Sequence, residues 1–273
     1  MVTEETITDV QEAFDEALNS ITEETSQLLP KNSESSYIEE NTNRFSGAIW
    51  FNKIKEQKVT IAGLGGIGSY VTFLLSRLQP DIIFAYDDDI VDVSNMSGQL
   101  YGLQDLGCKK VIALAELVTK YSNYNRLFTF PEKYTEESGA SDIMICGFDN
   151  MVARQTFYNN WVNHINNKSL ADKKKCLFID GRLAAESIQI LCMTGDDYYN
   201  RSNYTTKWLF SDYEADTTIC SYKQTTFCAN MIGSLIVNLF VNFCANLGNP
   251  IVPRDLPFLT TYEADTMYFK TVN

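Results

Sequence analysis

VTIAGLGGIGSY, from Val59 to Tyr70, decides the fold: an apolar strand breaks into a glycine turn and reopens as a helix. Gly63, Gly65 and Gly68 carry G-x-G-x-x-G spacing. In that spacing the first glycine allows the tight turn, the second lets a phosphate approach the backbone, and the third lets helix and strand pack closely. Free N–H groups and the dipole at the start of GSYVTFLLSRL then favour a polyphosphate. The extra Gly66 is allowed in any dinucleotide-binding fold, so the turn alone leaves NAD and ATP both open.

The residues beyond the turn narrow the choice. A second apolar strand, Ile82 to Tyr86, ends in Asp87, Asp88 and Asp89. An acidic residue about 20 positions beyond a glycine turn accepts hydrogen bonds from ribose hydroxyls, which gives Asp87 a role with either nucleotide. Val91, Ser94, Asn95, Gln99, Gly107, Lys110 and Val111 come next. A strand from Asp142 to Cys146 then leads to Asp149, Asn150 and Arg154, and CSYKQTTFCANMIGSLIVNLFVNF begins at Cys220. This series resembles the ThiF/MoeB/HesA family, the relatives of ubiquitin-activating enzymes. That family carries D-x-D-x-(V/I)-x-x-S-N-x-x-R-Q, a G-x-x-K-V stretch, a C-x-D-N-x-x-x-R element and a long late helix across the sheet. The likeness runs from about Arg44 to Asn246. It implies an α/β fold, with a Rossmann-like, mostly parallel sheet, helices on both faces and an antiparallel extension.

The resemblance also implies a reaction. Family members bind ATP with magnesium and let the C-terminal carboxylate of a ubiquitin-like protein or peptide attack the α-phosphate, leaving an acyl-adenylate; many act as homodimers. On the matching positions, Gly63, Gly65, Gly66 and Gly68 with Asp87, Asp89, Asn95 and Gln99 would hold the nucleotide. Lys110, or its neighbour Lys109, would contact phosphate as a compact point charge. Asp149 would be the magnesium ligand, directly or through water.

Two departures stand out. Gly98 occupies the place of the arginine in R-Q, and in RFSGAIW Gly47 stands where the leader motif R-Y-x-R-Q has its second arginine, the one that commonly crosses a dimer interface. A charge-assisted hydrogen bond contributes roughly 1.5–3 kcal/mol, so either another cation replaces them or the chain is a catalytically silent scaffold or nucleotide-binding adaptor. Arg44, Arg154 and Arg182 are the candidates. Arg182, in FIDGRLAAESIQI, follows the apolar strand Leu177 to Ile179, at the strand edge where doubly wound sheets bind ligands. Its other reading is a surface arginine paired with Glu186. An NAD-dependent oxidoreductase would need a nicotinamide pocket with a proton donor, and only the generic glycine turn supports it.

Seven cysteines, an odd number without a C-x-x-C pair, support neither a disulfide framework nor a zinc site. Most lie in apolar strands or the late helix and read as small buried hydrophobes. Cys220, closing DYEADTTIC, is open to ordinary burial or to thioester or persulfide chemistry. The formal net charge of −13 argues against nucleic acid, which calls for a basic patch. No apolar run reads as a membrane span, and the acidic start MVTEETITDVQEAFDEALNS is no signal peptide, so a cytoplasmic protein is expected. Residues 1–43 read as an appendage with an amphipathic helix through Val10, Phe14 and Leu18, and 44–273 as the nucleotide-binding adenylation domain. Tyr198, Tyr199, Tyr204, Trp208 and Phe210 crowd one polar segment, either a substrate lid or a surface insertion. His164 reads as a solvated or capping histidine, and PRDLPFLTTYEADTMYFKTVN as a loop and an extended strand tail, of the kind that in the family it resembles covers the sheet edge.

Overall fold

The computed structural model describes residues 42, 44–210 and 224–273. In chain order the elements are α1 (Ile49–Ile54), β1 (Lys58–Ala62), α2 (Gly66–Ser76), β2 (Ile82–Tyr86), α3 (Lys110–Ser122), β3 (Leu127–Phe130), β4 (Ile143–Cys146), α4 (Met151–Asn166) and α5 (Leu170–Lys173). They continue as β5 (Leu177–Ala184), β6 (Ser187–Thr194), α6 (Tyr198–Asn203), α7 (Thr226–Gly248), β7 (Leu259–Glu263) and β8 (Tyr268–Val272). All eight strands form one sheet in the order β3-β2-β1-β4-β5-β6-β7-β8. The pairs from β3 to β5 are parallel, and those from β5 to β8 antiparallel.

The apolar runs of β1, β2 and β4 are short and buried on both faces, as parallel strands under helices must be. Alternation along them makes two cores. Val59, Ile61, Ile83 and Ile145 face α2, α3 and α7, while Phe84, Tyr86, Met144 and Phe178 face Phe157, Trp161 and Ile165 of α4. Because β2 and β4 lie on opposite sides of β1, the order in which strands are added reverses there and opens a crevice above the strand ends.

Glycine lets three elements meet at that crevice. Gly63 has φ +81°, and a Cβ on it would lie 2.7 Å from the Gly147 backbone; one on Gly68 would lie 2.1 Å from the Gly63 carbonyl. The turn after β1, the start of α2 and the turn after β4 therefore touch backbone to backbone.

One expectation needs correction. Helix α7, 23 residues long, holds an 18-residue window of mean hydropathy 1.7 and is by length and composition able to cross a membrane, although no apolar run of that kind was expected from the sequence. Its apolarity is explained by packing: half of that window is buried, and Ile232, Ile236, Phe240 and Phe243 enter the same core as α1 and α2. The C-terminal tail is strand, as expected, and supplies two strands, β7 and β8, to the antiparallel extension. The helix expected through Val10, Phe14 and Leu18 and the reactive role weighed for Cys220 fall outside the described residues.

Gly68→Ala is expected to destabilise the protein by about 1–3 kcal/mol, because backbone must move to admit one methyl group. A lowered urea midpoint checks this, and Gly47→Ala, with open space around it, serves as the neutral comparison.

Candidate functional site

A cleft of about 1430 Å³ opens at the C-terminal ends of the parallel strands. Gly63, Gly65 and Gly66 line it, as do Asp87, Asp89, Asn95, Gln99, Lys110, Asp149 and Arg182. The fold thus gathers nearly every residue singled out in the sequence. Gly68 is the exception among the glycines: it is buried against Gly63, supports the turn, and does not line the cleft.

Asp87 braces the turn from below. Its Oδ2 accepts from the Leu64 N–H at 2.6 Å and its Oδ1 from the Asp89 N–H at 2.9 Å. Burial pushes its carboxyl above the ordinary range, opposed by the charge of Lys110 and by those two N–H bonds. Asn95 is held likewise: its Oδ1 accepts from the Asp92 N–H at 2.9 Å, so of its two amide atoms the nitrogen remains as a donor. The Gln99 amide lies over Gly65, and its Oε1 is buried with no partner among the described residues.

Lys110 opens α3, 5% exposed, with Nζ 2.7 Å from Asp89 Oδ2. A cation in the first turn opposes the helix dipole, and burial adds a desolvation cost. Packing alone does not call for a lysine there. Lys109 is exposed, donates to the Asp88 carbonyl, and is not among the cleft residues.

After β4, Asn150 caps α4, its Oδ1 accepting from the Ala153 N–H at 2.8 Å. Asp149 projects into solvent; its carboxylate accepts from Asn150 Nδ2 at 3.2 Å and has no cation within ion-pair distance among the described residues. No group of three or more His, Cys, Asp or Glu able to hold a metal occurs among the described residues. One exposed carboxylate beside a phosphate cradle nevertheless fits magnesium, which is held by one or two carboxylates plus waters and substrate phosphates.

Arg182 corrects the sequence reading. Strand β5 does not stop at Ile179 but runs to Ala184 through pairing with β6, so Arg182 lies within it opposite Gln189. Its partner is not Glu186. Nε donates to Asp180 Oδ2 at 2.8 Å, Nη2 donates to the Trp208 carbonyl at 2.8 Å, and the rings of Trp208 and Phe210 flank the guanidinium. Arg154 is no free cation either: it is buried, donating to Asp180 Oδ1 and to the carbonyls of Gly181 and Phe148. Burial works against its charge, and Asp180 together with Cys146, Tyr204 and Asp149 more than restores it. Arg44 is exposed and off the cleft.

The hub of this cluster was missed in the sequence. Asp180 is fully buried and also accepts from the Tyr204 hydroxyl at 3.0 Å. The available signal was an aspartate inside the apolar run LFIDG. Tyr204, expected in a lid or insertion, is a core side chain, and burial followed by the Asp180 charge raises its hydroxyl pKa well above the usual value.

Gly98 acquires a positive reason. A Cβ there would lie 2.8 Å from the Gln224 carbonyl, so the arginine's place is closed by backbone. His164 binds Asp142 Oδ1 at 2.8 Å, away from the cleft. Cys146, Cys176, Cys192, Cys228 and Cys244 are buried as expected, and Cys108 is exposed. Burial pushes the thiols of Cys146, Cys176 and Cys192 up to about 12.

Residues 39–271 match the ThiF family. The chain belongs to the ThiF family. Among curated relatives, it is 25% identical over 134 residues to ubiquitin-like modifier-activating enzyme 5 of Bombyx mori, covering 43% of this chain and 34% of that protein. It is 29% identical over 102 residues to adenylyltransferase and sulfurtransferase UBA4 of Debaryomyces hansenii, covering 37% and 22%. The chain thus spans about a third or less of the length of these relatives. Solved structures share the fold: PaaA, with TM-score 0.64 and 17% identity over 95% of this chain and 81% of the other, and E. coli MccB with ATP, with TM-score 0.58 and 17% identity over 82% and 66%. The ThiF-family fold has the mixed sheet expected, parallel with an antiparallel C-terminal extension.

Arg154→Ala is expected to cost about 3–5 kcal/mol, as breaking a buried pair does, whereas Asp149→Ala should change stability by less than about 0.5 kcal/mol, as surface changes do; chemical denaturation of both variants checks the contrast. Iodoacetamide at pH 8 should modify Cys108 in the folded protein and leave Cys146, Cys176 and Cys192 unmodified, read by peptide mass spectrometry.

Proposed function

We propose that this chain adenylates a carboxylate, most simply the C-terminus of a ubiquitin-like protein or peptide, with ATP and magnesium. The observation that carries this is Lys110, a buried cation at a helix start, held by Asp89 beside the glycine turn and in one cleft with the unpaired carboxylate of Asp149. Relatives named for activating ubiquitin-like modifiers, and the MccB fold solved with ATP, support the same reading.

In this scheme a carboxylate oxygen forms a bond to the α-phosphorus while the bond from that phosphorus to the bridging oxygen breaks. Pyrophosphate leaves with the electron pair, and no proton need move. Asp87 and the glycine turn place the nucleoside and phosphate backbone, and Gln99 and the Asn95 amide nitrogen add neutral donors. Lys110 offsets charge as it shifts toward the leaving group, where positioning and electrostatics dominate. Magnesium, when bound at Asp149, would neutralise phosphate oxygens. It is needed because the lining carries Asp87, Asp88, Asp89, Glu132, Asp149 and Glu263 against Lys110, Lys133, Arg154 and Arg182.

The volume accommodates two reactants. Single small-molecule sites occupy about 300–1,000 Å³, less than the about 1430 Å³ here. A silent scaffold is the second reading, favoured by Gln224, whose side chain lies against Gly66 of the phosphate turn.

ATP–pyrophosphate exchange, run over a panel of ubiquitin-like proteins and peptides, separates the two. Exchange that requires magnesium and falls about 10²-fold or more in Lys110→Ala, with an unchanged circular-dichroism spectrum, is expected. Absence of both exchange and ATP affinity in the unaltered chain would leave the scaffold.

A further inference from the structure

The two arginines on Asp180 make a local excess of one positive charge within a cleft whose lining is acidic overall. Lys110 is matched by Asp89, and Lys133 lies 4.0 Å from Asp88. Arg154 and Arg182 share the single carboxylate of Asp180, so the cluster with Tyr204 carries a net charge of about +1. It is a built site: Asp180 is 0%, Tyr204 0% and Arg154 5% exposed. Excess charge held this deeply is costly unless an anion compensates it.

The direction of the free donors is also set. The Nε and Nη2 atoms of Arg182 are engaged by Asp180 and the Trp208 carbonyl, while Nη1 has no partner among the described residues. Arg182 lines the cleft with Trp208 and Phe210 on its flanks, which fixes the plane of the guanidinium. A planar fork held on one side presents its remaining N–H groups to a carboxylate or phosphate oxygen.

Strand order indicates which anion arrives there. Asp87 follows β2, the glycine turn follows β1, Asp149 follows β4, and Arg182 is on β5. Reading across the sheet, the positions read as ribose, phosphate and metal-ligand sites precede the arginine, which therefore lies one strand beyond them, in the same cleft and with room for a second reactant beside it. Resting on the adenylation reading, we propose that Arg182, braced by Asp180 and Arg154, binds the carboxylate of the acyl substrate and orients it toward the α-phosphate. It acts there as a binding group specific to this chain and not as a replacement for the arginine absent at Gly98.

The test uses the full chain and triglycine as the probe, in free-acid and C-terminal amide forms, titrated by tryptophan fluorescence because Trp208 packs beside Arg182. Titrations are made with protein alone and with magnesium and a non-hydrolysable ATP analogue. The unaltered protein is expected to bind the acid at least 10-fold more tightly than the amide. Arg182→Gln is expected to abolish that preference while the analogue's Kd stays within twofold, and Arg182→Lys to retain part of it. Folding should persist in both variants, since Arg154 and Tyr204 still engage Asp180. Equal binding of acid and amide by the unaltered protein overturns the proposal. So does an undiminished preference in Arg182→Gln, or a tenfold loss of analogue affinity in that variant, which would make Arg182 a triphosphate cation. If the analogue binds no form of the protein, the adenylation reading fails, and the acid preference is judged separately from the titration of protein alone.

Discussion

Asp180 is the constraint on which the working end of the molecule depends. A lone carboxylate at zero exposure carries a desolvation cost of several kcal/mol. It persists because three donors converge on it from three elements: Arg154 of α4, Arg182 of β5 itself, and Tyr204 at the turn after α6. Each donor passes the constraint outward. Arg154 also holds the carbonyl of Phe148, the residue before Asp149. Arg182 holds the Trp208 carbonyl. One buried charge thereby locates the Asp149 loop, Arg182 and the aromatic wall together.

The other half of the cleft depends on sterics rather than charge. Gly63, Gly68 and Gly147 let two turns and a helix approach to backbone contact, and Asp87 fixes the turn from the neighbouring strand. The result is an acidic cleft with a polyphosphate cradle, which makes counter-charge the deciding quantity for any nucleotide that enters. Lys110 and a cation at Asp149 would supply it at the phosphates, and the Asp180 cluster supplies it one strand further on.

Much of this was legible in the chain. The glycine turn, the strand Ile82 to Tyr86 and Asp87 could be read because each is local, a spacing or a charge at the end of an apolar run, whereas Lys110 and Asp149 stood out only through their likeness to the family's motifs. Long-range contacts escaped. Arg154 and Asp180 are 26 residues apart and meet only because β4 and β5 pair. Strand β5 outlasts its apolar run because antiparallel pairing with β6, and not hydrophobicity, carries it through Gly181 and Arg182. Gly98 read as a missing arginine, whereas the fold shows a position closed by the Gln224 backbone, far along the chain. Helix α7 likewise shows its length and apolarity together only when its limits are known.

Nucleotide and carboxylate are expected to share the cleft side by side along the strand order. A crystal structure of the chain with magnesium and a non-hydrolysable ATP analogue tests this most directly. The expected complex has the ribose at Asp87, the α-phosphate over Gly65 and Gly66 with Lys110 within reach, and Arg182 Nη1 left open on the far side. A triphosphate contacting Arg182, or a nucleoside over β5 with Asp87 unengaged, would contradict it.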